Sequence, residues 1–227
     1  MVMPDTGADR ERQRIEKLKY YEYGAYQEGY QLIAGIDEVG RGPIAGPVVA
    51  AAVILPRNFF LPGVNDSKLV SEKSRMQMAK EIKKGALAWS IVMISSRRID
   101  QKNILQATKE AMRTAVYELT PRPDFLLVDA VSIPDLEIEQ YPIIKGDTLS
   151  ISIACASIIA KVERDNIMYN FDSMFPGFGF AKHKGYATRE HIIALENLGP
   201  TTIHRGSFEP VKTMLGDQNG LQPSLFE

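Results

Sequence analysis

Three apolar stretches of this chain run into carboxylates, and that restricts the possible folds more than any other feature. LIAGIDE reaches Asp37 and Glu38, FLLVDA carries Asp129, and IIKGD ends in Asp147. Each stretch reads as a buried strand, of the kind found in a sheet covered on both faces. A carboxylate there is costly to desolvate without a partner, and several together repel. A divalent cation offsets both effects, and an oxygen-only donor set selects a hard ion, Mg²⁺ or Mn²⁺. The three histidines, His183, His191 and His204, all come late in the chain, which disfavours a His-rich zinc site. Asp37 and Glu38 are neighbours, and neighbours on a strand face opposite ways, so they share a site only if the chain turns there. Gly40 and Gly42 supply such a turn.

Elsewhere strand and helix periodicities alternate. PVVAAAVIL (47–55) and AWSIVMIS (88–95) are further strands, and the short Gly-rich link makes the first two strands antiparallel neighbours. Ser71 caps a helix over EKSRMQMAKEIKK. A second helix follows Asp100, presents Leu105, Met112, Val116 and Leu119 on one face, and stops before Pro121. FLLVDA is an interior strand and YPIIKGD (141–147) another strand. The repeat Ile151, Ala154, Cys155, Ile158, Ile159, Val162 marks the clearest helix, and a last one starts at the N-cap Thr188 and stops at Gly199. Hairpin-connected strands followed by strands alternating with helices predict an α/β fold, a mixed central sheet in a three-layer α/β/α arrangement with a helical C-terminal segment. A length of 227 residues suits one such domain with appendages: a helical N-terminal extension over 1–31, the main domain over 32–216, and a polar tail over 217–227.

Residues 1–31 hold five of the nine tyrosines and read as an amphipathic helix that docks Ile15, Leu18 and some of those rings on the main domain; stacking on nucleic acid is the alternative. Twenty-seven Lys+Arg against 28 Asp+Glu give a net charge of −1, so a histone-like polycation is excluded and nucleic-acid binding must come from local clustering. The single cysteine, Cys155, excludes an internal disulfide and a thiolate cluster, and it sits on an apolar helical stripe as a core residue. The N-terminus has no apolar signal core and no apolar run is long enough to span a bilayer, so a cytoplasmic protein without membrane insertion is expected. Gly40-Arg41-Gly42 leads into Pro47 and a β-branched strand instead of a helix, which excludes a dinucleotide-binding turn.

In this order, IAGIDEVGRGPIAGPVVAAAV, NDSK (65–68), FLLVDA, IIKGD, ISIACASIIAKVERD and HKGYAT resemble ribonuclease HII, the type 2 ribonuclease H family, over roughly residues 32–210. The resemblance implies a ribonuclease-H-like fold and a metal-dependent endonuclease. Such an enzyme cleaves the RNA strand of RNA–DNA hybrids and incises 5′ to ribonucleotides embedded in duplex DNA, leaving 3′-hydroxyl and 5′-phosphate ends, in replication and repair. It implies four catalytic and metal-binding acids, Asp37, Glu38, Asp129 and Asp147, with two Mg²⁺ or Mn²⁺ ions in the active complex; which acid serves which ion stays open. Ribose recognition falls on Gly40, Arg41 and Gly42, with Tyr186 of HKGYAT as partner. Ser67, Lys68, Lys145, Lys182 and Lys184 are candidates for phosphate contacts. Asp165, far along the same helix, reads as an ion-pair partner of Arg164 or Lys161 rather than a metal ligand.

Two alternatives have their own discriminators. A type 3 ribonuclease H has a long N-terminal substrate-binding domain, for which about 31 residues leave no room; a hybrid-binding protein that does not cleave has no need of four intact acids. The partners implied are RNA–DNA hybrids and DNA duplexes with embedded ribonucleotides, bound by a monomer. The terminal Gln222-Pro223-Ser224-Leu225-Phe226 is similar to the peptides by which bacterial replication proteins bind the sliding clamp.

Overall fold

The acid-bearing stretches form strands because their β-branched and aliphatic residues fill a sheet from both sides. In a computed structural model, which describes residues 6–219 apart from 66, 68 and 69, five strands form one sheet. They are β1 (Ile33–Val39), β2 (Val48–Ile54), β3 (Ala88–Ile94), β4 (Phe125–Asp129) and β5 (Glu139–Ile143), in the spatial order β3-β2-β1-β4-β5. β1 runs antiparallel to β2, from Ala34 opposite Ile54 to Val39 opposite Val49, and parallel to β4, with Ile36 opposite Val128. β4 runs parallel to β5. The sheet is therefore mixed, and β4 is an interior strand, as its apolar run predicts. All seven residues of β2 and the first five of β1 are buried, so both faces of these strands are covered.

The helices are α1 (Gly7–Leu18), α2 (Tyr20–Gln27), α3 (Glu72–Gly85), α4 (Ser96–Lys102), α5 (Ile104–Tyr117), α6 (Ile151–Met174), α7 (Phe180–His183), α8 (Arg189–Leu198) and α9 (Val211–Asn219). Contacts divide the chain into two compact units. The first holds the described residues up to Val39, with Val49–Val92 and Lys109–Glu163; the second holds Gly40–Val48, Met93–Thr108 and the described residues from Arg164 onward.

In the first unit Ile33, Phe125, Leu127 and Ile143 of the sheet pack with Ala25 of α2 and Ile153 of α6, and Tyr21, Tyr26 and Tyr30 lean on that cluster. Burying each such Ile, Leu or Phe contributes roughly 1.5–3 kcal/mol. Gly35 lets β1 approach α6: a Cβ there would lie 2.1 Å from the Ser152 carbonyl carbon, which no rearrangement of side chains could relieve. Cys155 is fully buried on α6, as its place on the stripe predicts. The core of the second unit gathers Ile44, Met168, Phe178, Phe180, Leu195 and Val211.

Several elements differ from their sequence reading; one is α9, which follows the helix expected from Thr188 and takes in residues 217–219 of the expected polar tail. The helix expected after Asp100 is two helices, α4 and α5, parted at Asn103, whose φ of 68° lies in the left-handed region. The Asn103 Oδ1 accepts the Gln106 N–H at 3.1 Å, capping the new helix. Leu105, expected on the buried face, is 39% exposed. The strand expected over 141–147 covers 139–143 instead, and Asp147 lies in a 3-10 turn, Gly146–Thr148. The N-terminal segment is a pair of helices, α1 and α2, with Ile15 and Leu18 buried.

Candidate active site

Asp37 and Asp129 meet because β1 and β4 are parallel neighbours: the register of Ile36 opposite Val128 carries one residue further to the two acids. Their strands deliver both to the carboxyl end of the sheet, the edge at which parallel α/β sheets bind ligands. Glu38 joins them, with carboxylate oxygens of Asp37, Glu38 and Asp129 all within 4.8 Å of one another. This happens without the turn that the sequence reading required. Strand β1 continues through Val39, and Asp37 folds back so that Oδ1 accepts the Glu38 N–H at 2.7 Å. The cross-strand neighbours of Asp37 and Glu38 on β2 are Ala51 and Ala50, whose small side chains leave room.

Asp37 and Asp129 are held by groups of the first unit. Asp37 is 5% exposed and accepts a hydrogen bond from the Ser157 hydroxyl of α6. The Ser157 and Ser67 hydroxyls lie 3.0 Å apart, so with Ser157 donating to the carboxylate, Ser67 donates to Ser157. Ser67, expected at a phosphate, is thus a buried member of the chain that orients Asp37. Asp129 accepts the Gly146 N–H at 2.7 Å. A Cβ on Gly146 would come 2.6 Å from Ile153 Cδ1 and 3.3 Å from Asp129 Oδ1, so glycine is what lets this turn close on the acid. The next residue is Asp147, 8% exposed, which is not one of the three acids with converging oxygens.

Burial pushes the Asp37 carboxyl well above its usual range, and the charges of Glu38 and Asp129 push it further. The site resists full ionisation unless positive charge enters it. Three convergent carboxylates with no nitrogen or sulfur donor among them fit a hard divalent cation.

The ribose-reading candidates fall in the second unit. Gly40 has φ of 92°, open to glycine alone, and a Cβ on it would lie 2.2 Å from Arg164 Nε. Tyr186 Cε1 lies 3.6 Å from the position a Gly42 Cβ would take, and the Tyr186 residue is 47% exposed. Its backbone is fixed: the Tyr186 N–H donates to the His183 carbonyl at 2.9 Å and the Tyr186 carbonyl accepts from His191 Nδ1 at 2.9 Å.

Two groups that the sequence reading missed hold the turn. Arg205, fully buried, donates from Nη2 to the Gly40 carbonyl at 2.5 Å, from Nη1 to the Arg41 carbonyl at 2.9 Å, and from Nε and Nη2 to the Gly46 carbonyl at 3.0 and 2.9 Å. Arg164, also fully buried, donates to the carbonyls of Pro47 (3.0 Å) and Ala45 (3.3 Å). The signal available in the sequence was the Gly-rich turn itself, whose buried carbonyls must find donors somewhere.

Among the lysines, Lys145 is exposed with φ of 59° at the start of the 3-10 turn. Lys182 pairs with Glu190 at 2.6 Å. Lys184 lies over the Tyr169 ring at 3.4 Å and donates to the Ala181 carbonyl. Lys68 and residues 220–227 of the tail expected over 217–227, with the Gln222–Phe226 peptide, lie outside the described residues.

Comparison with known proteins matches residues 34–211 to the ribonuclease HII family. A ribonuclease HII of Syntrophomonas wolfei is 61% identical over 218 residues, covering 96% of this chain and 86% of the relative. Among solved structures, the ribonuclease H2 of Pyrococcus horikoshii superimposes with a TM-score of 0.71 at 21% identity, over 83% of this chain and 99% of that one. The ribonuclease HII of Archaeoglobus fulgidus, solved in complex with PCNA, gives a TM-score of 0.67 at 27% identity, over 79% and 96%.

Proposed function

The chain belongs to the ribonuclease HII family, and we propose that Asp37, Glu38, Asp129 and Asp147 are its catalytic acids. It is a metal-dependent endonuclease that cleaves the RNA of RNA–DNA hybrids and removes ribonucleotides embedded in DNA. The observation that carries the assignment of the centre is the convergence of the Asp37, Glu38 and Asp129 oxygens at the carboxyl ends of adjacent strands. Asp147 enters through its neighbour Gly146, whose N–H is bonded to Asp129.

These acids would hold Mg²⁺ or Mn²⁺, and we infer two ions in the active complex. Bound there, hard cations supply charge neutralisation at the scissile phosphate and acidify the attacking water. The chain's own residues supply the rest. Ser157 and Ser67 fix the Asp37 carboxylate, the Gly146 N–H fixes Asp129, and burial keeps bulk water from competing for the Asp37 lone pairs. Gly40, Arg41 and Gly42 would read the 2′-hydroxyl, which only RNA carries and which backbone groups approach where no Cβ intervenes. The exposed Tyr186 ring would stack on the adjoining sugar. Lys68, Lys145, Lys182 and Lys184 remain candidates for phosphate contacts. Incision on the 5′ side of the ribonucleotide, leaving 3′-hydroxyl and 5′-phosphate ends, completes the reading.

We also infer a cytoplasmic monomer whose Gln222–Phe226 peptide docks on a sliding clamp. The Archaeoglobus relative, solved with PCNA, supports clamp docking by analogy, and titration of the full chain against a clamp reads it directly. For the central assignment the test is Asp129→Asn. The amide keeps the shape and removes a ligand charge, so cleavage should fall more than about 100-fold while hybrid binding survives. Single-turnover cleavage and a binding titration measure the two; near-normal turnover at saturating Mg²⁺ refutes the assignment.

A further inference from the structure

Two fully buried guanidiniums on one short turn are an expensive arrangement, because removing an arginine from water costs several kcal/mol unless its five N–H groups are satisfied. Here the compensation comes mainly from backbone carbonyls: Arg205 takes those of Gly40, Arg41 and Gly46, and Arg164 those of Ala45 and Pro47. The Arg205 backbone N–H adds the Ile44 carbonyl at 2.8 Å. Six carbonyls between Gly40 and Pro47 are thereby aimed at groups of the two arginines.

That aim has a consequence for the other side of each peptide. In a trans peptide the C=O and the following N–H point in opposite directions. With the Gly40 and Arg41 carbonyls drawn onto Arg205, the N–H groups of Arg41 and Gly42 are turned away from it, as a pair of successive donors of the kind that forms anion- and hydroxyl-binding concavities. The same turn is strapped to the Tyr186 segment. The Ile44 and Ala45 N–H groups both donate to the Gly185 carbonyl, at 2.9 and 3.3 Å, and Gly185 (φ 84°) has the Ala45 carbonyl oxygen 2.4 Å from where a Cβ would stand.

We propose that Arg205, assisted by Arg164, is a positioning residue for ribonucleotide selectivity: it orients the Arg41 and Gly42 peptide groups that meet the 2′-hydroxyl. This rests on the reading of Gly40–Gly42 and Tyr186 as the ribose site. Lysine cannot replace Arg205, because a single ammonium on a flexible stem lacks the planar fork that spans three carbonyls at once. Arg205 keeps its charge only against its burial, which with the neighbouring Arg164 lowers its pKa to about 9. The turn's carbonyls hold a cation there, and the cation holds the turn.

The test is a ratio: affinity for a duplex with one ribonucleotide divided by affinity for the same all-DNA duplex, measured by titration in chelator so that no cleavage occurs. Loss of folded protein lowers both affinities equally and cancels. Arg205→Lys should reduce the ratio about 10-fold and Arg164→Lys, which leaves the Arg205 contacts in place, about 3-fold. Tyr186→Ala is the control for the ribose site itself. An unchanged ratio in both arginine variants, with the ratio reduced in Tyr186→Ala, overturns the positioning role alone. Unchanged ratios in all three overturn the ribose-site reading beneath it.

Discussion

At the scale of single residues, the acids were legible and their supports were not. A carboxylate ending an apolar run is an anomaly in the sequence, so Asp37, Glu38 and Asp129 stand out one by one. Ser157 and Ser67 look like any serine, and Arg205 like any surface arginine, until the fold buries them. The histidines show the same gap. All three in the chain are buried together: His183 and His191 stack with ring centroids 4.3 Å apart, and His191 Nε2 lies 3.0 Å from His204 Nε2. Partners fix the tautomers. His204 Nδ1 accepts the Thr201 N–H, so its Nε2–H donates to His191, whose Nδ1–H donates to the Tyr186 carbonyl. The network works only with neutral rings. Burial accordingly lowers both His191 and His204 from 6.5 to about 4. Between those values the unfolded chain binds protons that the folded chain does not, so the stability from these neutral rings is complete above pH 6.5 and is lost as pH falls toward 4. Urea unfolding at pH 7, 6 and 5 should show that loss, with a shallower slope in His204→Gln, which removes one of the two titrating rings. Equal slopes in both proteins would contradict the network.

At the scale of elements, one buried carboxylate outside the proposed catalytic set explains how the N-terminal helices serve the main domain. Glu22 of α2, 4% exposed, accepts the Ser150 hydroxyl at 2.6 Å and the Ser152 N–H at 3.0 Å, and so sits at the start of α6. Acceptors there satisfy donors that a helix cannot satisfy itself and interact favourably with its dipole. Removing them by Glu22→Ala leaves buried donors unpaired and should cost about 1–3 kcal/mol, a fall in Tm of roughly 2–12 °C for a chain of this size. Glu22→Gln, which still offers an acceptor oxygen, should lose less. Thermal unfolding followed by circular dichroism decides, and equal losses for the two variants would mean that Glu22 only fills space. The strands were read well where both faces are apolar, as in β1, β2 and β4, because periodicity there reports burial directly. The failures have local causes. Pro142 cannot donate to a ladder, yet β5 tolerates it at the sheet edge, and left-handed Lys145 then ends any extended path to Asp147. Asn103 breaks a helix that its apolar spacing alone would have continued.

At the scale of the whole molecule, the ordered motifs and the mixed sheet lead to the same family, and the matched span of 34–211 takes in every residue proposed for catalysis and ribose reading. The division of labour follows the two units. The first carries the acids and the sheet that converges them, while the second carries the Gly40–Gly42 turn, Tyr186 and the two buried arginines. Among the described residues no helix is long and apolar enough to cross a membrane. The most direct test of the central claim uses a labelled DNA duplex with one ribonucleotide, its all-DNA counterpart, the full chain, and Mg²⁺ with or without chelator. A single incision 5′ to the ribonucleotide, leaving a 3′-hydroxyl, only in free metal and only on the ribonucleotide duplex, is the result expected of acids at Asp37, Glu38, Asp129 and Asp147. No incision, incision that persists in chelator, or equal cutting of the all-DNA duplex would contradict it.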